Sequence, residues 1–234
     1  MRIAGLQKCT LLDYPGKVAC TVFLPGCNFR CPFCHNFELI QAPETLMDEE
    51  ELLAFLKKRQ GLLEGVCITG GEPTLHTDLP QLLQKIHDLG FAVKLDTNGY
   101  RPDVLRAIVE AGLVDYVAMD VKNGPEAYAA TCGLETFDLV NIEKSIRLLL
   151  EGCADYELRT TVCKPLHSRQ SIQNMAFWLQ NLTKMKAKRL FIQPFVDRDT
   201  VPFEGLSAPN QAELEEYRAI LSAVAEQVTI RGAG

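Results

Sequence analysis

The chain has 234 residues, 47% hydrophobic and 23% charged, a composition ordinary for a globular protein and long enough for one large core. Its net charge of -6 argues against general nucleic-acid binding, which needs clustered Lys and Arg. Residues 1–17 carry no uninterrupted apolar leader and no apolar run nears a membrane span, so the expectation is a cytoplasmic protein with no membrane association.

Strand-like and helix-like patterns alternate along the chain. A β-rich run at 18–24 leads into "CNFRCPFCHN" (27–36), and an amphipathic stretch follows at 48–63. A second run (65–69) ends in Gly70-Gly71-Glu72-Pro73, before a helical pattern at 78–90. A third (92–97) ends in Asp96-Thr97-Asn98-Gly99, before one at 101–112. The fourth (114–121) carries Asp120 with Lys122 just beyond, the fifth (156–163) carries Arg159 and Thr161, and the sixth (189–195) ends at Phe195. Helical patterns at 141–152 and 171–183 separate these last runs, and a final one (210–227) leads into a short strand-like 228–232. Several helical stretches begin with Asp, Asn or Ser, as capping requires.

Strands each followed by a helix predict parallel strands with crossover helices. The runs are apolar on both faces, as buried parallel strands are. An open doubly wound sheet and a barrel-like α/β sheet both fit, and both place chemistry at the C-terminal ends of the strands. The polar residues gather at those ends, which predicts a single large site within one domain spanning 1–234. Segment 204–234 adds a helix and a short strand but no chemical signal.

Cys27, Cys31 and Cys34 are spaced C-x3-C-x2-C. Three thiolates on a short loop can hold three irons of a [4Fe–4S] cluster and leave the fourth open, where ordinary clusters take four cysteines. A Cys3His zinc site using His35 is the alternative. Structural zinc usually draws on two separated ligand pairs, and His35 directly follows Cys34, which makes joint chelation awkward. Plain thiols are the third reading. The other cysteines (Cys9, Cys20, Cys67, Cys132, Cys153, Cys163) are scattered, and Cys20 and Cys67 lie inside apolar runs where a small buried hydrophobe is expected.

Taken alone, "GGEP" and "DTNG" are turns. Asp120 and Lys122 suit a buried ion pair. Arg159 and Thr161 share a strand face, where a buried charge needs a partner such as a core carboxylate. Phe195 and Trp178 suit core packing, His167 and His87 the surface, and His76 the neighbourhood of the site.

The cysteine loop, with Phe33 before its last cysteine and "GGEP" after the second strand, resembles the radical S-adenosylmethionine superfamily over roughly residues 1–200. The resemblance implies a partial (β/α)6 barrel of parallel strands. It also implies a [4Fe–4S] cluster whose open iron is chelated by the amino and carboxylate groups of S-adenosylmethionine. Reduction of that pair yields a 5′-deoxyadenosyl radical that abstracts hydrogen. By the same resemblance Gly70 and Gly71 lie along the methionyl group, and Glu72 accepts from its ammonium. Asp96 and Asn98 hold its ribose or methionyl part, Lys122 its carboxylate or ribose, Arg159 its carboxylate, and Phe33 and Phe195 complete the cofactor-binding set. Asp96 and Asp120 would alternatively hold a monovalent cation.

The segment "TLLDYPGKVACTVFLPGCNFRCPFCHN" resembles the glycyl-radical enzyme activases, within them the activating proteins of anaerobic ribonucleoside-triphosphate reductase. This implies that Asp13 and His35 touch a partner's backbone and that flavodoxin or ferredoxin supplies the electron. Activation of pyruvate formate-lyase or another glycyl-radical enzyme, deazapurine-type small-molecule chemistry, and a zinc-stabilised binding module are the alternatives.

Overall fold

The computed structural model describes residues 1–40, 47–152 and 154–232; Cys153 lies outside them. Eight strands form one sheet whose spatial order follows the chain. Strand β1 (Gly5–Thr10) pairs antiparallel with β2 (Ala19–Leu24), and every later pairing is parallel. The parallel strands are β3 (Gly65–Gly70), β4 (Ala92–Thr97), β5 (Tyr116–Asp120), β6 (Asp155–Val162), β7 (Ala187–Pro194) and β8 (Ala225–Ile230). Among the described residues β1 and β8 do not pair with each other, so the sheet curls without closing, as a partial barrel does. Arg2–Ile3 pairs separately with Met47–Asp48.

Helices α1 (Glu49–Lys57), α2 (Leu79–Asp88), α3 (Pro102–Glu110), α4 (Pro125–Thr131), α5 (Val140–Leu150), α6 (Arg169–Leu182) and α7 (Gln211–Leu221) fill the connections. Their apolar stripes bury Leu82 and Ile86 of α2, Leu105 and Ile108 of α3, and Leu149 of α5. They cover the face of the sheet carrying Val22, Ile68, Leu95 and Val117. Each such side chain contributes about 1.5–3 kcal/mol of transfer free energy.

The six expected parallel strands are present with ends moved by at most a few residues. Strand β1 was not expected: three of its six residues are exposed, so it shows no alternation, and it is held by pairing with β2. The last helix stops at Leu221 rather than running to 227, because β8 begins at Ala225 and extends the sheet beyond β7. Trp178 is in the core, as expected.

The opposite sheet face is polar. Register places Thr21, Cys67, Lys94 and Tyr116 side by side, with Asp96 one step and Asp120 and Arg159 two steps nearer the C-terminal ends.

Candidate active site

The loop after β2 is tied down from several sides. Gly71 N–H donates to Leu24 O (2.9 Å) and Glu72 N–H to Gly26 O (2.8 Å), joining it to the end of β3. Asn36 Nδ2 donates to Gly70 O (3.1 Å), and the His76 ring bonds Pro25 O (2.8 Å). Asn98 Nδ2 donates to Asn28 Oδ1 (2.8 Å), reaching in from β4. The glycines are needed for this proximity: a Cβ on Gly71 would lie 1.9 Å from Gly26 O, and one on Gly70, whose φ is +116°, 2.3 Å from Leu24 O.

Cys27, Cys31 and Cys34 sit on this loop as free thiols, Cys31 buried and the other two half-buried. Cys34 N–H donates to Cys31 O (3.1 Å). Burial pushes the Cys27 thiol up to about 11 and raises Cys34, whereas the neighbouring Cys132 thiol holds Cys31 down to about 7. Among the described residues no group of three or more His, Cys, Asp or Glu side chains is placed to share one ion. Three cysteines on one short loop supply one thiolate for each of three corners of a cubane. His35 turns away as well: its Nε2 bonds Val196 O (2.7 Å), and its ring lies 6.0 Å from that of Phe195. Phe33 is buried, 6.2 Å from the His167 ring and under the Lys122 ammonium. The donor set therefore fits a three-cysteine [4Fe–4S] cluster.

Glu72 is not a solvated turn residue. It is fully buried, and its carboxylate accepts from Thr74 N (3.1 Å), Thr74 Oγ1 (2.5 Å), Thr97 Oγ1 (2.7 Å) and Asn98 N (2.6 Å). Burial raises its pKa, and these donors oppose the rise. Its visible work is to clamp the end of β4 to the end of β3, which also fixes Asn98.

Below the loop runs a chain of charges. Lys94, 2% exposed, bonds Asp96; Arg159 bridges Asp96 (3.3 Å) and Asp120 (2.9 Å); Lys122 bonds Asp120 (2.8 Å). Burial alone would push Asp120 up, but Arg159 and Lys122 outweigh it and hold the carboxyl at about 2. Asp96 is lowered in the same way. Asp96 and Asp120, considered for a monovalent cation, are bonded by the chain's own Lys94, Arg159 and Lys122. Arg159 and Lys122 have the core carboxylate partners that the residues alone suggested. Three cations against two carboxylates leave this chain of side chains cationic by one charge, which suits an anionic ligand group.

One further placement differs from expectation. His167 is buried rather than at the surface, because both ring nitrogens are used: Nε2 bonds Lys122 O (2.8 Å), and Nδ1 accepts from Cys163 N (3.2 Å). Asp13 lies on the loop entering β2, where Oδ2 accepts from Thr21 Oγ1 (2.5 Å), so it and His35 flank opposite ends of that strand. Lys94, Cys132, Glu157 and Arg231 were not singled out from sequence. Lys94 and Glu157 left a signal: each is a charge within an apolar run, two residues before another charged residue (Asp96, Arg159) and so on the same strand face as it.

The "Radical SAM superfamily" model matches residues 21–162. The chain belongs to that superfamily, and it is a radical S-adenosylmethionine enzyme whose cofactors are a [4Fe–4S] cluster and S-adenosylmethionine. Within the superfamily it is 31% identical to a Methanocaldococcus jannaschii protein named "Putative glycyl-radical enzyme activating enzyme", across 98% of this chain and 95% of that one. It is 30% identical to the 7-carboxy-7-deazaguanine synthase of Thermococcus kodakarensis, across 76% and 75%. In fold it is similar to a domain of pyruvate-formate lyase-activating enzyme from Bacteroides vulgatus, at TM-score 0.57 and 20% identity, covering 72% of this chain and 99% of that one. Among the described residues no helix is long and apolar enough to cross a membrane.

Proposed function

We propose that this protein is the activase of a glycyl-radical enzyme, and that its partner is anaerobic ribonucleoside-triphosphate reductase in the cytoplasm. The observation that carries the activase reading is the nearly end-to-end likeness to a relative named for that activity. The choice of partner rests on the D-x-P-G segment (Asp13, Pro15, Gly16) and on Cys34-His35-Asn36.

When bound, the cluster and S-adenosylmethionine would supply the radical chemistry that removes a hydrogen atom from the partner's glycine, with flavodoxin or ferredoxin as the electron donor. This chain's own residues bind, orient and exclude water. Cys27, Cys31 and Cys34 hold three irons. Gly70 and Gly71 let the β3 end approach the cysteine loop, and Glu72 fixes Asn98 beside it. Lys122 and Arg159 present the cationic surplus to the methionyl carboxylate. Phe33 and Phe195 are the aromatic surfaces for the adenosyl group. Asp13 and His35 meet the partner at the two ends of β2.

The test is anaerobic reconstitution with iron and sulfide, then reduction and addition of S-adenosylmethionine and the reductase of the same organism. A glycyl-radical doublet in the electron paramagnetic resonance spectrum is expected. It should be absent in Cys31→Ala and slower to form in Asp13→Ala and His35→Ala. The likeness to a deazaguanine synthase and the charged inner sheet face favour a second reading, in which the substrate is a small molecule. 5′-Deoxyadenosine released with no doublet on any glycyl-radical enzyme would select that reading and reject the activase.

A further inference from the structure

His167 lies between β6 and α6, at the C-terminal edge of the sheet, and is 2% exposed. Its backbone is held at both polar groups. Its N–H donates to Cys163 O (2.8 Å), and its carbonyl accepts from Tyr217 Oη of α7 (3.4 Å). Its ring stands edge-on to the Phe33 ring of the cysteine loop, 6.2 Å away. The roles of the ring nitrogens follow from their partners. Lys122 O can only accept, so Nε2 carries the proton and donates at 2.8 Å. Nδ1, which then has a lone pair, accepts from Cys163 N–H at 3.2 Å. Burial lowers the pKa of the ring, which favours this neutral form.

The carbonyl that Nε2 holds belongs to a residue past the end of a strand. The register of β5 with β6 stops at Asp120 and Arg159, so Lys122 stands beyond it. Its neighbour Asn123 is fully buried, and Asn123 Nδ2 donates to Leu166 O (3.0 Å). Residues 122 and 123 are thus fastened, one bond each, to residues 167 and 166. At the other end of the side chain, Lys122 Nζ bonds Asp120 Oδ2 (2.8 Å) and lies 5.9 Å from the Phe33 ring centre. A lysine stem is long and flexible, and an ammonium that must meet a ligand is more effective when that freedom is removed beforehand. His167 fixes the base of this stem, and Asp120 fixes its tip.

We propose that His167 is a positioning residue for S-adenosylmethionine: by donating Nε2–H to Lys122 O it sets the Lys122 ammonium for the methionyl carboxylate. The inference rests on the reading of Lys122 as a partner of that carboxylate. His167 acts through Lys122, as a residue behind a binding group acts by orienting it.

The experiment compares wild type, His167→Gln, His167→Asn, Lys122→Met and the double variant His167→Asn/Lys122→Met, all reconstituted anaerobically with iron and sulfide. It reads iron per chain and the Kd for S-adenosylmethionine by equilibrium ultrafiltration. Glutamine places an amide donor where Nε2 was. Asparagine places an acceptor where Nδ1 was and falls short of Lys122 O. His167→Asn should bind about threefold to tenfold more weakly, as the loss of one hydrogen bond implies, and His167→Gln should stay within about twofold of wild type. Iron per chain should be unchanged in both. In the Lys122→Met background the asparagine substitution should cost nothing further, because the residue it acts through is gone. If His167→Asn takes up no cluster, His167→Phe replaces it, keeping the ring without either nitrogen, with the same loss expected. Equal losses in the glutamine and asparagine variants, or a full further loss in the Lys122→Met background, would overturn the inference and leave the role of Lys122 standing. Wild-type affinity in Lys122→Met alone would remove the carboxylate reading, and the inference with it.

Discussion

Asp120 is lowered although it is buried, which is the reverse of what burial does to an isolated carboxyl. Arg159 and Lys122 decide the sign. Because the folded value, about 2, lies below the ordinary 3.8, the stabilisation is complete above about pH 4 and disappears as pH falls toward 2. Its size is about 2 kcal/mol by linkage. Acid unfolding of the apo-protein should therefore steepen between pH 4 and 2, and Asp120→Asn should reduce that slope, with Asp96 contributing in the same direction. A variant with the wild-type slope would mean that Arg159 and Lys122 do not hold the charge. Glu72 behaves differently: its partners are neutral donors, they do not offset burial, and its pKa rises. Two carboxylates at strand ends two strands apart in one sheet are thus tuned in opposite directions by the partners within reach.

Between elements, the decisive contact is backbone against backbone where β3 meets the cysteine loop. Gly71→Ala would place a methyl 1.9 Å from Gly26 O and 3.3 Å from the Cys27 side chain. Relief requires the loop to shift, at about 1–3 kcal/mol of strain. The expected outcome is reduced iron per chain after reconstitution, with the far-ultraviolet dichroism of the apo-protein unchanged. Full iron loading would show that the loop yields freely. The positions of these residues were legible in the sequence, since alternation of apolar runs and helical stripes put Gly70, Asn98, Asp120 and the cysteines at one edge. What each touches was not legible. "GGEP" looks like a turn because a buried Glu is recognisable only when its four donors, from two different loops, are known. Strand β1 was invisible for a related reason: an edge strand with three exposed residues has no period of its own. Cys132 was hidden because contacts between sequence-distant residues leave no mark on spacing.

At the scale of the whole molecule, the question is how an unclosed barrel keeps its last strand. β8 pairs with β7 alone, and the carboxyl-terminal segment carried no chemical signal in the sequence. Arg231, just beyond β8, reaches across β7 to β6. Its guanidinium lies 3.7 Å from the Phe191 ring centre and bonds both oxygens of Glu157, at 2.9 and 3.0 Å. Glu157 is fully buried, with Tyr116 Oη of β5 donating to it at 2.8 Å. One carboxylate therefore joins β5, β6 and the end of the chain. Arg231→Met would leave that carboxylate buried without its cation, a loss of about 3 kcal/mol, reduced somewhat because Arg231 is partly exposed. Glu157→Gln alone should also destabilise. The double variant should be less impaired than the two losses combined, because an unpaired charge no longer remains in the interior. A double-mutant cycle from urea unfolding is expected to give a coupling of at least about 1 kcal/mol. Strict additivity would mean that the pair contributes no mutual energy, and that β8 is held by its ladder with β7 and its packing against α7 alone.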